Sequence, residues 1–209
     1  MNAKQLLRDF LDQCPLIAII RGVTPADAEA IGAAIYEGGI RIIEVPLNSP
    51  DPLRSIERIS ARHGNRTLVG AGTVLRSEQV AEVQGAGGRI IVSPDSNPEV
   101  ISTAASAGLV SCPGFFTPSE AFSALRAGAH GLKLFPAEGA TPAVLKGQLA
   151  VIPKDIPVLP VGGITSDNMQ PWLDAGASGF GLGSGLYKPG QSAAETLKKA
   201  RAYVAGVKG

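Results

Sequence analysis

Cysteine and histidine are scarce in this sequence, which holds two of each among its 209 residues. Cys14 and Cys112 form no C-x-x-C pair, so they indicate neither a disulfide framework nor a dithiol redox motif. With only His63 and His130 beside them, the chain offers no set of His and Cys ligands for a metal cage. We therefore expect a reduced protein without a bound metal.

Long apolar runs and an excess of charge are also absent. No stretch of about 18 apolar residues occurs, and the N-terminus lacks the unbroken apolar core of a signal peptide. Lys and Arg number 19 against 18 Asp and Glu, a net charge of +1, which excludes a strongly basic nucleic-acid surface. We expect a soluble, cytoplasmic protein that binds neither nucleic acid nor membrane.

Short apolar, β-branched runs recur along the chain, about one in every 20 to 27 residues. They are nearly continuous rather than alternating, which is typical of parallel strands buried on both faces. The predicted strands cover residues 16–20, 41–45, 67–70, 89–92, 109–112, 131–135, 158–161 and 179–182.

Helical segments with start and stop signals separate these runs. In one of them Thr24 is the predicted N-cap and Pro25 occupies the first helical position. Gly38 and Gly39 end that helix. Comparable signals predict helices that begin near residues 49, 77, 97, 117, 141, 168 and 192. One extra helix over residues 3–13 comes before the first strand.

Repeated βα units predict an α/β fold, a (β/α)8 TIM barrel with one extra N-terminal helix. The alternative is a doubly wound sheet, but the first βα turn reads Arg21-Gly22-Val23-Thr24 rather than G-x-G-x-x-G. No linker or low-complexity stretch divides the chain, so we expect a single domain over residues 1–209.

Two charged residues interrupt predicted buried strands near the end where barrel active sites lie. Lys133 stands in Gly-Leu-Lys-Leu-Phe-Pro, where burial would lower its pKa and favour attack on a carbonyl. Glu44 interrupts the second strand as a candidate general acid or base, or as a partner for Lys133 or Arg21. A snorkelling lysine and a structural ion pair stay open as alternatives.

Glycines follow the last two predicted strands, at the position where barrels commonly bind phosphate. Gly162 and Gly163 follow the seventh strand, and Gly183 and Ser184 follow the eighth. Backbone N–H groups approach an anion closely at glycine, although two tight turns that merely need glycine would look the same. Arg21 is a candidate for bidentate binding of a carboxylate or phosphate.

The order and spacing of these motifs resemble the class I aldolases that cleave 2-keto-3-deoxy-6-phospho-sugar acids, over residues from about Pro15 to Val204. The matching motifs are Glu44-Val45, 70–75 (GAGTVL), Ser93-Pro94, 112–114 (CPG), 132–137 (LKLFPA), 162–164 (GGI) and Gly183-Ser184. Asn48 stands where the gluconate-derived branch has an arginine, and Val161 where it has a threonine. Both departures resemble the galactonate-derived branch, so we treat Asn48 and Val161 as specificity residues.

The resemblance implies roles for individual residues. Lys133 would form a Schiff base and Glu44 would move protons, with no metal and no cofactor. Substrate-binding positions would hold the carboxylate, wall the pyruvate pocket or hold the phosphate: Arg21, Thr73, Pro94, Phe135, Gly162, Gly163, Gly183 and Ser184. The reactants would be a phosphorylated keto-deoxy sugar acid and pyruvate, and the family implies a homotrimer.

Three rival functions remain at this stage. A pyridoxal-phosphate barrel also uses a lysine and a phosphate site, but its lysine usually lies near the first strand. A phosphate-binding isomerase or synthase would use Glu44 as a base and Lys133 only as a charge. A non-catalytic sugar-phosphate sensor would bind without turnover. Within the aldolases, activity on the gluconate epimer is the main alternative.

Overall fold

The computed structural model of the protein describes residues 2–207, apart from the side chain of Asn65. Met1, Lys208 and Gly209, which end the predicted domain, lie outside the described residues. Within the described range, no helix has both the length and the apolarity needed to cross a membrane.

Each predicted strand is found close to its expected position, and all strand residues are buried. The strands are β1 Leu16–Ile19, β2 Ile42–Pro46, β3 Leu68–Gly72, β4 Ile90–Val92, β5 Val110–Cys112, β6 Gly114–Phe115, β7 Leu132–Leu134, β8 Val158–Pro160 and β9 Phe180–Leu182. Only the two-residue β6 was not predicted, because Pro113 separates it from β5 within one apolar run.

Helices connect the strands and begin within three residues of the predicted starts, with Asp51 rather than Ser49 as the N-cap of the third helix and Met169 as that of the eighth. They are α1 Ala3–Gln13, α2 Pro25–Glu37, α3 Pro52–His63, α4 Glu78–Gly85, α5 Pro98–Ser106, α6 Pro118–Arg126, α7 Pro142–Leu149, α8 Gln170–Asp174 and α9 Ala193–Gly206. The Thr24 side chain accepts a hydrogen bond from the amide of Asp27, and Thr117 and Glu120 form a reciprocal capping box. These contacts satisfy backbone donors that a helix start leaves free.

The prediction of a closed eight-stranded barrel is wrong. The strands form a six-stranded parallel sheet in the order β5-β4-β3-β2-β1-β9, a half-barrel, and a separate parallel sheet in the order β6-β7-β8. At one seam Pro113, which has no amide hydrogen, divides β5 from β6. At the other, a single bridge from Val161 to Gly181 joins the sheets before the positive-φ glycines Gly162 and Gly163 turn the chain away.

The extra N-terminal helix covers one end of the space that the sheets enclose. Leu7, Phe10 and Leu11 of α1 pack against inward residues of the strands, among them Ile17 and Ile42. Outward residues instead pack against the surrounding helices in a second, larger core. Since side chains alternate along a strand, this division identifies which strand residues point inward.

Candidate active site

The alternation of side chains places both charged strand residues on the inner face of the sheets. Ile42 belongs to the inner core, so Glu44, two residues later, points inward as well. Leu132 and Leu134 belong to the outer core, so Lys133 between them points inward. The sheets thereby bring Glu44 and Lys133 into one interior.

Lys133 forms the floor of a cleft at the end of the sheets opposite α1. Lys133 is only 7% exposed. Burial lowers the pKa of its ammonium, and the nearby carboxylate of Glu44 opposes that shift. Its Nζ lies 4.6 Å from the centre of the Phe135 ring. A lysine in this setting carries a larger neutral, nucleophilic fraction than an exposed one.

Glu44 lies beneath the cleft and is 1% exposed. Burial raises the pKa of its carboxyl to about 7, although the positive charges of Lys133 and Arg21 act in the opposite direction. Its Oε2 atom is buried without a hydrogen-bond partner, and Glu44 and Lys133 are absent from the ion pairs formed among residues 2–207. A carboxyl that titrates near neutrality is suited to both giving and taking a proton.

Gly72 on the neighbouring strand makes room for this carboxylate. A Cβ atom at residue 72 would lie 1.9 Å from Oε2 of Glu44, well inside van der Waals contact. The glycine therefore has a steric role at the site, in addition to its place in the β3 ladder.

Arg21 stands at the rim, in the loop after β1. Its guanidinium hydrogen-bonds the side-chain oxygen of Asn48 and lies 3.5 Å from Oγ1 of Thr73, which has a φ of +57°. Arg21 forms no direct ion pair with Glu44 among residues 2–207, although its charge lowers the pKa of that carboxyl from a distance. Two neutral side chains hold the guanidinium, so its charge remains available to an anion.

The cleft has a volume of about 450 Å³, a size that suits a small metabolite. Most of the predicted site residues line it, namely Arg21, Thr73, Pro94, Lys133, Phe135, Val161, Gly162, Gly163, Gly183 and Ser184. Glu44 and Asn48 do not. Glu44 is buried beneath the floor, and Asn48 contacts the site through Arg21.

Several lining residues were missed from the sequence, and two of them are charged. Glu138 lies in a short 3₁₀ turn after β7, and Lys188 lies in the loop after β9. The carboxylate of Glu138 lies close to Gly162, where a Cβ atom would be 2.0 Å from its Oε2. Neither residue belongs to a strand pattern, so no periodicity indicated that they face the cleft. Ile19 also lines it, and its place two residues after Ile17 could have shown this.

Within the described range, no cluster of three or more His, Cys, Asp or Glu residues is arranged to hold a metal ion. Three of the four charged side chains that line the cleft are cations, namely Arg21, Lys133 and Lys188, so the cleft is suited to organic anions.

Comparison with known proteins shows what this arrangement is similar to. Residues 7–201 match the family described as KDPG and KHG aldolase. The 2-dehydro-3-deoxy-6-phosphogalactonate aldolase of Escherichia coli (strain K12) is 47% identical over 190 residues, which cover 91% of this chain and 93% of the relative.

Two solved structures extend the comparison. One, described as the native KDPGal structure, is 45% identical with a TM-score of 0.92 and covers 94% of this chain and 95% of its own. The other is a KDPG aldolase from Legionella pneumophila with pyruvate captured as a covalent carbinolamine intermediate. It is 27% identical with a TM-score of 0.82 and covers 97% of each chain.

Proposed function

The chain belongs to the KDPG and KHG aldolase family, and we propose that it cleaves 2-dehydro-3-deoxy-6-phospho-D-galactonate to pyruvate and D-glyceraldehyde 3-phosphate. Family membership makes the chain a carbon–carbon lyase. The observation that carries the mechanism is the inward-facing pair of buried groups, Lys133 and Glu44, at the floor of the cleft.

Lys133 is the proposed nucleophile. Its neutral amine adds to the C2 ketone of the substrate, and loss of water from the carbinolamine yields an iminium ion. The capture of pyruvate as a carbinolamine in the Legionella pneumophila aldolase supports this assignment. Burial that lowers the pKa of Lys133 supplies the neutral amine that the addition requires.

Glu44 is the proposed proton carrier. Its carboxylate, acting through a water, takes the proton of the C4 hydroxyl as the C3–C4 bond breaks, and the bonding electrons move into the iminium to form an enamine. Glyceraldehyde 3-phosphate leaves, C3 is protonated, and hydrolysis releases pyruvate and the free lysine. A carboxyl pKa of about 7 suits this two-way transfer.

The remaining assignments concern the residues that bind the carboxylate, the pyruvate portion and the phosphate of the substrate. Arg21 and Thr73 bind the substrate carboxylate, and Pro94 and Phe135 wall the pyruvate pocket. The phosphate is assigned to the backbone of Gly162, Gly163, Gly183 and Ser184, which line the cleft after β8 and β9. Asn48 sets the position of Arg21, and Val161 faces the substrate directly.

Borohydride reduction in the presence of pyruvate tests the chemistry. We expect a reduced adduct that peptide mass mapping places on Lys133, and no adduct in Lys133→Met. A missing adduct at excess pyruvate would contradict the Schiff base and favour the isomerase or sensor. A comparative assay of the galactonate and gluconate epimers then tests the substrate, since the two differ only in configuration at C4.

Assembly and location are also part of the proposal. The family resemblance implies a homotrimer that needs no cofactor, and the composition of the sequence leads us to propose that it is cytoplasmic. Light scattering of the purified protein tests the assembly and should give the mass of three chains. A monomer at working concentration would contradict it.

A further inference from the structure

Three side-chain cations line the cleft, and two already have a place in the proposed mechanism. Lys133 is buried at the floor, and Arg21 is held at one part of the rim by Asn48 and Thr73. The third, Lys188, is exposed, and none of the ion pairs among residues 2–207 includes it. Its charge is therefore not neutralised by a described carboxylate.

The backbone around Lys188 is firmly held, although its side chain is exposed. The amides of Leu186 and Tyr187 donate to the carbonyl of Gly183 at 3.0 and 3.1 Å, which closes a turn directly after β9. Gln191 donates from its amide to the carbonyl of Lys188 at 3.0 Å and from its side chain to Leu186 at 2.7 Å. Tyr187 is 3% exposed and anchors the turn in the core.

A second contact holds the far side of this loop. Pro189 packs over the loop after β1, where a Cβ atom on Gly22 would lie 2.6 Å from Cγ of Pro189. Lys188 is thus presented to the cleft from a turn fixed on both sides. An ammonium on such a backbone loses less freedom on binding an anion than one on a mobile loop.

The residues next to Lys188 in the cleft wall indicate which kind of ligand its ammonium would bind. Gly183 and Ser184, at the start of the same turn, line the cleft together with Gly162 and Gly163. Backbone amides alone do not neutralise a phosphate dianion, and Glu138 adds negative charge beside Gly162. A cation beside these backbone amides would add a charge-assisted contact to a phosphate dianion, and Lys188 lines the cleft at this turn.

We propose that Lys188 binds the phosphate group of the substrate and determines the preference for phosphorylated over unphosphorylated sugar acids. The inference rests on the proposed aldolase function for the identity of the substrate. Anion binding at Lys188 does not depend on the chemistry at Lys133, so the phosphate site and the aldolase function can be tested separately.

Lys188→Met is the variant to compare with the wild type, and Lys198→Met is its matched control. Lys198 is an exposed lysine of α9 that does not line the cleft. We expect Lys188→Met to raise KM for the phosphorylated substrate about five- to tenfold, the loss of one charge-assisted contact, with a smaller change in kcat. The ratio of kcat/KM for phosphorylated over unphosphorylated substrate should fall by the same factor. Lys188→Arg should restore most of it.

Inorganic phosphate gives a readout that does not depend on turnover. Calorimetric titration of phosphate should show binding weakened about five- to tenfold in Lys188→Met and unchanged in Lys198→Met. Glu138→Gln should shift it the other way, because it removes a competing negative charge. Equal phosphate affinity and an equal substrate ratio in wild type and Lys188→Met would overturn the inference. Failure of borohydride trapping in the wild type would instead contradict the aldolase function alone.

Discussion

The floor and the rim of the cleft differ in how far their charged groups are exposed to solvent. At the floor, Lys133 and Glu44 are 7% and 1% exposed, and burial moves both pKa values toward neutrality. At the rim, Glu138 after β7 and Ser184 and Lys188 after β9 are exposed. The chemistry at the floor depends on exclusion of bulk solvent, which shifts the two pKa values, whereas binding at the rim depends on geometry and on charges that solvent screens.

This difference indicates what each end can contribute to catalysis. Groups that exchange protons near neutral pH need the environment of the floor, because water would return both pKa values to their ordinary range. Binding of a dianion needs no such shift, since exposed cations and backbone amides suffice. Substitutions at the floor are therefore expected to have larger effects than substitutions at the rim, and the following predictions test that ranking.

The largest effect is expected for Lys133→Met. Removal of the only proposed nucleophile should reduce cleavage by at least ~1,000-fold, whereas the fold should persist because methionine fills similar space without a buried charge. Steady-state kinetics and circular dichroism check both parts. Turnover within tenfold of the wild type would place the nucleophile elsewhere.

Glu44→Gln should come next, with kcat lowered about 100- to 10,000-fold by the loss of general acid–base catalysis. The acidic limb of the wild-type pH profile should lie near 7, the pKa of this carboxyl, and it should vanish in the variant. A profile that keeps this limb would mean that another group carries the proton.

The same variant should change the pH dependence of stability. Because the folded-state pKa of Glu44 is raised from 4.5 to about 7, the folded state binds more protons than the unfolded state between these values. The stabilisation that the protonated Glu44 gives to the folded state is therefore fully present below pH 4.5. It is lost as the pH rises through 7, where the buried carboxyl ionises. Between pH 5 and 8, Glu44→Gln should gain about 2 to 3 kcal/mol relative to the wild type in urea titrations. A constant difference would contradict the raised pKa.

Gly72→Ala should have an intermediate effect. The new Cβ atom would lie 1.9 Å from Oε2 of Glu44, so the carboxylate must move, at a cost of about 1 to 3 kcal/mol. We expect lower stability together with a lower kcat. Gly147→Ala, in α7, is the control because nothing beyond its own helix backbone and chain neighbours lies within 4 Å of the new Cβ, and it should be stabilising by about 0.5 to 1 kcal/mol. Equal changes in stability and kcat in the two variants would contradict the steric role of Gly72.

The smallest effect is expected at the specificity positions. Asn48→Arg combined with Val161→Thr should move the preference toward the gluconate epimer by about tenfold, the scale of one altered hydrogen bond. The measurement is the ratio of kcat/KM for the two epimers. If the ratio does not change, these positions do not read the configuration at C4.

The sequence predicted the site best where a residue belongs to a strand. Lys133 and Glu44 are charged residues that interrupt apolar runs near the strand ends where barrel active sites lie, so the sequence alone identifies them as candidates. Lys188 and Glu138 lie in loops without a period, so no local pattern showed that they face the cleft. The closed barrel failed for a related reason, since Pro113 and the turn at Gly162 act on contacts between strands.

By itself, the sequence determined where the helices and all strands but the short β6 lie, because caps, glycines and short apolar runs act over a few neighbouring residues. The tertiary structure alone decided that the ladder stays open, that Glu44 loses water and titrates near 7, and that Gly72 leaves it room. These properties depend on distances between segments remote along the chain, and solvent exclusion exists only once those segments have packed.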